Sequence, residues 1–315
     1  MVADETSRFN KVAFPGKNTP ILEIVDFLNA RARENQWGFV DFNRPMVAIN
    51  QWEQAEDSMY TLCGKDRIHP STDGHLVMAY LFLKAQGLAG KPVADIRIDG
   101  AGKKVTRSDN CRVSDLSVSS DNLTFTYEAK SLPYPIDTSY YDNEKHTQAD
   151  ALSVIPFMDE MNYEGLSVSG LSDGYYGLTI GGEFIGRFTA RELERGINMA
   201  LLQNTPQYKQ AMKIRQMNEE RWLKERKMRE FYWVEYNLMR KTGMLWACNE
   251  AAVDTLRKYR PHDIFLQWNG DLWLQYMHKG IREDCVNEQQ DLVNQIYEQN
   301  KPIPLRIEIK KFTDL

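Results

Sequence analysis

The sequence lacks the features that assign many proteins at once. It has no excess of basic residues, because 39 Lys and Arg stand against 44 Asp and Glu, a net charge of −5. A nucleic-acid-binding face needs clustered positive charge, so this balance argues against a nucleic-acid partner. No apolar run is long enough to span a bilayer, and residues 1–5 show neither the basic nor the apolar part of a signal peptide.

Cysteine is scarce and scattered. The four cysteines form no C-x-x-C pair, which argues against a zinc site or a thioredoxin-type motif, and their pairing cannot be assigned. The doublet His262-Asp263 has no partner cluster of ligands nearby in the sequence, and the glycines between Gly170 and Gly186 match no phosphate loop. We therefore predict no cofactor and no metal.

What is present indicates an α/β fold. Residues 1–90 contain a helix that starts at Thr19-Pro20, an apolar run over Trp37–Phe42 that predicts a strand, and a strongly apolar helix that starts at Ser71–Asp73. Gly87 is placed to end this second helix. One strand and two helices offer more apolar surface than they can bury together, so residues 1–90 are predicted to lack part of their domain.

The pattern of apolar and polar residues changes twice after residue 90. Residues 91–188 alternate apolar and polar side chains, with a hairpin signal at Gly181-Gly182, and predict a β-rich subdomain. Residues 189–302 predict a helical subdomain that opens with a capping box at Thr189 and includes helices over 249–259, 272–281 and 283–299. Residues 303–315 contain an alternating strand that is expected to return to the β-rich part.

One short segment carries recognisable chemistry: Asp66 and His69, three residues apart, are followed by Pro70 and the apolar helix. A hydrolase that uses a serine alcohol needs a base, and imidazole suits this because it ionises near neutrality. A carboxylate must fix the imidazole's tautomer and stabilise its cation. Asp66 and His69 are therefore candidate catalytic residues, although Asp-x-x-His also occurs by chance and Asp before a helix is ordinary capping.

This block resembles the last signature block of the SGNH/GDSL serine hydrolases. The small residues after His-Pro, then Gly74 and the apolar helix, carry the resemblance, as does the apolar segment upstream. It implies a flavodoxin-like three-layer core, here incomplete, and an esterase mechanism in which His69 is the base and Asp66 orients it. His75 matches no catalytic position and is expected to be packed or partly exposed. The segment from Gly196 to Gln207 is similar to the appended region of exported bacterial members of the family.

The sequence departs from the family pattern at the nucleophile. It contains no Gly-Asp-Ser and no Gly-x-Asn-Asp, and the upstream serines Ser7 and Ser58 do not stand where a strand turns into a helix. The resemblance therefore predicts that the chain begins inside the hydrolase domain and has little or no turnover alone, because loss of a triad member costs on the order of 10⁴ to 10⁶ in rate.

Two function hypotheses stay open. The first is an esterase that removes acyl or acetyl groups from carbohydrates or other small esters, and the second is a non-catalytic interaction or assembly module derived from such a hydrolase. The Lys- and Arg-rich stretch 209–241 is interrupted by glutamates, which favours a solvated helix face over a nucleic-acid or membrane surface. Its apolar stripe is a possible homo-oligomer contact. Family members of this kind are usually exported, but the compartment is not fixed by the sequence.

Overall fold

The computed structural model describes residue 16 and residues 18–64, 68–139 and 146–312. Within them the chain forms two compact units. The first comprises the described residues up to Tyr208 together with those from Ile303 onward, and the second comprises Lys209–Pro302. Each unit is described by itself below.

The first unit contains five helices and nine strands among the described residues. The helices are α1 Asn18–Asn35, α2 Asn43–Glu53, α3 Thr72–Ala85, α4 Phe157–Glu160 and α5 Ala190–Arg195. The strands are β1 Ala94–Asp99, β2 Lys104–Asp109, β3 Cys111–Val118, β4 Asn122–Ala129, β5 Glu164–Ser169, β6 Tyr175–Ile180, β7 Glu183–Thr189, β8 Ile197–Asn198 and β9 Leu305–Lys311.

Helix α3 has the predicted ends. Ser71 is its N-cap residue, and Gly87 follows its last turn with φ +71°. The amide of Gly87 donates to the carbonyl of Lys84, and that of Leu88 donates to the carbonyl of Leu83, which together form a Schellman motif. One side of α3 is buried, whereas Phe82 on another side is 47% exposed, so this strongly apolar helix is not buried all round.

The predicted strand over Trp37–Phe42 is also wrong. This segment has no strand structure and leads directly into α2, which the sequence analysis missed. A strand is defined by its pairing with a neighbour, and the structure shows no partner for this segment among the described residues.

Two sheets enclose the main core. One sheet has the order β2-β1-β5-β8, in which β1 and β5 run parallel, and the other is the antiparallel sheet β3-β4-β9-β6-β7. Fully buried residues of both sheets, such as Ile96 and Leu166 in the first and Phe125 and Ile307 in the second, belong to one apolar cluster. The predicted hairpin turns at Gly181-Gly182, and β9 lies between β4 and β6 as an inserted central strand.

A second apolar cluster joins α2 and α3 to the segment after β4. Met46 of α2, Val77 of α3 and Phe157 of α4 all belong to it, together with Leu62 from the loop before α3. This cluster packs Leu62 and Cys63, which precede His69 in the chain, against the segment between β4 and β5.

The second unit is helical. Its helices are α6 Pro206–Val234, which starts in the first unit, α7 Glu250–Tyr259, α8 Ile264–Tyr276 and α9 Lys279–Gln299. Helix α6 continues into a π-helical turn over Glu235–Met239, and Gly243 follows with φ +73°. The predicted helix over 272–281 is wrong in its bounds, because α8 ends at Tyr276 and His278 precedes α9.

The predicted fold class, a mixed α/β chain whose β-rich layer is followed by a helical region, is confirmed. The four cysteines all lie among the described residues, and no two of them form a disulfide. Within the described residues, no helix combines the length and apolarity that a bilayer span requires.

Candidate active site

His69 lies in a loop that the backbone closes tightly. The amide of Gly64 donates to the carbonyl of His69 at 2.8 Å, and the amide of Ser71 donates to the carbonyl of Leu62 at 2.9 Å. Cys63 and Pro70 form an isolated antiparallel bridge between these two bonds. The backbone at His69 and at Ser71 is therefore tied to residues 62–64, and the side chain of His69 is exposed.

Asp66 lies outside the described residues. The predicted pairing of Asp66 with His69 therefore stays a prediction. His75, expected to be packed or partly exposed, lies in the first turn of α3 with its side chain exposed.

Gly74 explains why a glycine follows the His-Pro pair. A Cβ atom at this position would lie 2.1 Å from the carbonyl oxygen of Leu62 and 3.2 Å from the Cβ of Pro70. The first turn of α3 therefore packs directly on the backbone of the returning loop, and only glycine permits this approach. Gly74 lies at the start of α3, and its lack of a side chain also sets the distance between this helix and the loop that contains His69.

The side chain of Asp73 holds Ser71, at the end of the loop that contains His69. Its side chain is fully buried, its Oδ1 accepts from the backbone amide of Gly74 at 2.8 Å, and the Ser71 hydroxyl donates to the same oxygen. Ser71, two residues after His69, is thus bound by its backbone to Leu62 and by its side chain to Asp73. These contacts hold the exit of the loop in one position.

His146 faces the same carboxylate from the segment after β4. Its Nδ1 lies 3.5 Å from Oδ2 of Asp73, and the ring of Tyr60 meets the imidazole edge-on with 6.1 Å between ring centroids. Burial raises the pKa of Asp73, while the hydrogen bond from Ser71 and the charge of His146 oppose that rise. Burial also raises the pKa of Tyr60.

The sequence analysis missed His146 and Asp73 as parts of this site. They are 73 residues apart, and no spacing rule connects them. The one local signal was the Ser-x-Asp pair at the helix start, which reads equally well as ordinary capping.

The candidate serines do not complete the site. Ser7 lies outside the described residues, and Ser58 is exposed in a turn after α2 rather than between a strand and a helix. The doublet His262-Asp263 has a structural explanation, because the side chain of Asp263 caps α8 by accepting from the amides of Phe265 and Leu266. The described part of the chain contains no group of three or more His, Cys, Asp or Glu side chains placed to hold a metal ion.

Taken together, the arrangement presents an exposed imidazole on a fixed loop at the start of a helix. Such an imidazole can accept a proton from an alcohol and return it to a leaving group.

Comparison with known proteins places this arrangement in context. The family model for the C-terminal helical domain of diltiazem deacetylase matches residues 212–301, within the second unit. A search of curated proteins found no match. The solved structure of BT4096, a gut microbial diltiazem-metabolizing enzyme, matches with a TM-score of 0.92 and 40% sequence identity over 99% of this chain and 71% of that chain. The chain therefore belongs to the family of this diltiazem-metabolizing enzyme.

Proposed function

We propose that the chain is part of an ester hydrolase that removes acetyl or other small acyl groups, with His69 as the general base and Asp66 as the residue that orients it. The observation that carries the proposal is the exposed imidazole of His69, whose backbone carbonyl is bonded to the amide of Gly64 just before α3, in a chain 40% identical to a diltiazem-metabolizing enzyme. The resemblance of the same loop to the SGNH/GDSL hydrolases supports it independently.

The proposed reaction uses an acyl-serine intermediate. His69 takes the proton of a serine hydroxyl as the serine oxygen attacks the ester carbonyl, and Asp66 accepts the other imidazole N–H. The imidazolium then gives its proton to the departing alcohol. In the second half, His69 takes a proton from water as the water oxygen attacks the acyl-serine. The imidazolium then returns that proton to the departing serine oxygen, which releases the carboxylic acid and restores the free serine.

We place the nucleophile in polypeptide outside these 315 residues. Two observations support this placement. The solved relative has residues beyond the matched 71% of its chain. Helix α1 buries only one residue, Ala32, and leaves Ile24, Phe27 and Leu28 about half exposed on one stripe. A stripe of this kind on a helix is ordinarily packed against a neighbouring element.

The test uses the chain alone and a chimera. In the chimera, the part of the solved relative that lies outside the match is joined to this chain at the corresponding position, and hydrolysis of p-nitrophenyl acetate is measured for both. We expect background turnover for the chain alone and at least 10³-fold more for the chimera. His69→Asn should return the chimera to within about tenfold of background.

His262→Asn is the matched control, because this exposed histidine lies in the second unit, and it should keep the chimera's rate within about twofold. A chimera that keeps its rate after His69→Asn would exclude His69 as the base. Labelling of the chain alone by a fluorophosphonate at Ser7 or Ser58 would instead place the nucleophile within it. An unchanged background in a folded chimera would favour the non-catalytic module.

A further inference from the structure

A groove follows one side of α3 in the first unit. His75, Ala79 and Leu83 line it at successive helical turns, and its volume is about 560 Å³, within the range of roughly 300–1,000 Å³ typical of small-molecule sites. The other described lining residues lie within 88–93, 131–134 and 148–162, and His69 is not among them.

The walls of the groove are mainly apolar. The lining includes Leu76 and Leu83 of α3 together with Leu132 and Phe157. Leu76 and Phe157 also belong to the buried cluster that fixes α3, so this part of the wall is rigid. An apolar ligand that enters gains contact with side chains that are already ordered.

The polar groups of the opposite wall are already engaged with one another. The side-chain amide of Asn162 accepts from the amide of Tyr134 at 2.8 Å and donates to its carbonyl at 2.9 Å. Gln148 donates to the hydroxyl of Tyr134 at 2.8 Å and accepts from the amide of Asp137. The Ser131 hydroxyl donates to the carbonyl of Val93. These bonds shape the wall and leave few of its polar atoms for a ligand.

Lys91 is the cationic side chain among the described lining residues. No Asp or Glu is among them, and Lys91 forms no ion pair with a described carboxylate. A lysine ammonium with no carboxylate partner in the described part of the chain, beside an apolar surface, complements a molecule with an apolar body and an anionic end.

We propose that this groove binds an apolar monocarboxylate, whose hydrocarbon or aromatic body lies along α3 and whose carboxylate pairs with Lys91. The proposal goes beyond ester hydrolysis and does not depend on a nucleophile, so binding can be tested on the 315-residue chain itself. The two proposals therefore fail separately.

The experiment is a calorimetric titration of the chain with decanoate, alongside decylamine, which has the same chain length and the opposite charge. We expect saturable decanoate binding below about 1 mM and at least tenfold weaker binding of decylamine. Lys91→Gln should weaken decanoate binding about five- to tenfold. Lys104→Gln, which removes the same charge from exposed strand β2, should leave binding unchanged.

A second variant tests the position of the ligand. Ala79→Trp fills the groove from an exposed position on α3 and should abolish decanoate binding, with circular dichroism confirming that the fold is kept. Absence of saturable binding below about 5 mM, equal binding of decanoate and decylamine, or full binding by a folded Ala79→Trp variant would each overturn the proposal. If Ala79→Trp does not fold, the comparison of Lys91→Gln with Lys104→Gln decides alone.

Discussion

The buried side chain of Glu164 predicts how the stability of the first unit depends on pH. Its side chain is fully buried at the start of β5, where the hydroxyl of Tyr127 donates to it at 2.8 Å and the amide of Gln207 donates at 3.2 Å. Both described donors are neutral. Burial raises the pKa of Glu164 to about 7, because these two hydrogen bonds offset only part of the cost of desolvating the charge.

The sign of the pH effect follows. The pKa of this carboxyl is higher in the folded state than in the unfolded state, where it is 4.5. Its contribution to stability is therefore fully present below pH 4.5 and is lost as the pH rises through about 7. At about 1.4 kcal/mol for each unit of pKa, the rise from 4.5 to about 7 corresponds to an upper limit of about 3.5 kcal/mol. Ionisation of Glu164 should therefore destabilise the first unit by about 1–3 kcal/mol at pH 8.

Glu164→Gln removes the ionisation and keeps the shape. The new amide can also donate to Oε1 of Gln207, a buried atom without a hydrogen-bond partner among the described residues. We expect the variant to be more stable than wild type by about 1–3 kcal/mol at pH 8 and within about 1 kcal/mol of it at pH 5.

The assay is hydrogen exchange of the β5 amides as a function of urea, measured at pH 5, 6, 7 and 8 and read by mass spectrometry so that the first unit is followed by itself. Glu194→Gln, an exposed change on α5, is the control and should track wild type at every pH. Parallel pH profiles for wild type and Glu164→Gln, or a loss of more than about 2 kcal/mol in the variant at pH 8, would refute the reasoning.

Three further changes test individual contacts. Gly74→Ala should destabilise the first unit by about 2 kcal/mol or more in urea denaturation, because the added methyl clashes with the backbone oxygen of Leu62 and no side-chain rotation relieves the clash. A loss below about 0.5 kcal/mol would contradict the close approach. Glu235→Ala should cost the second unit about 2–4 kcal/mol in thermal unfolding, since it removes the buried acceptor of the Trp273 indole at 2.8 Å, and Glu235→Gln should recover part of that loss. Thr189→Ala should cost about 1 kcal/mol, because it breaks a capping box in which both reciprocal bonds are present, and Thr189→Ser should recover most of it.

Features that depend on neighbouring residues could be predicted from the sequence. The Gly181-Gly182 turn and the capping box at Thr189 are fixed within a few residues, and the structure has both. The ends of α3 were predictable for the same reason, since Ser71 and Gly87 act on the backbone next to them.

Features that depend on distant partners were not predictable in the same way. The apolar run Trp37–Phe42 has strand composition, yet composition cannot supply the neighbouring strand that a sheet requires. Strands β2 and β5 also lack a clear apolar signal in the sequence. Polar β2 is an edge strand, and β5 begins with the buried acid Glu164.

The candidate site shows the same division. His69 could be singled out because its loop, its proline and the following helix are consecutive. The contact of His146 with Asp73 exists only because the segment after β4 folds back onto α3. The apolar cluster between this segment and α3 draws on residues as far apart in the sequence as Met46 and Phe157.

The central position of β9 sets the order in which the first unit can be completed. Strands β4 and β6 are synthesised early. The strand that separates them, β9 at residues 305–311, is synthesised only after the whole second unit. At roughly 5–20 residues per second on the ribosome, both strands wait on the order of ten seconds with one open edge each. Such edges can pair with one another or with a neighbouring nascent chain, so factors that shield strand edges during synthesis should raise the yield of native protein.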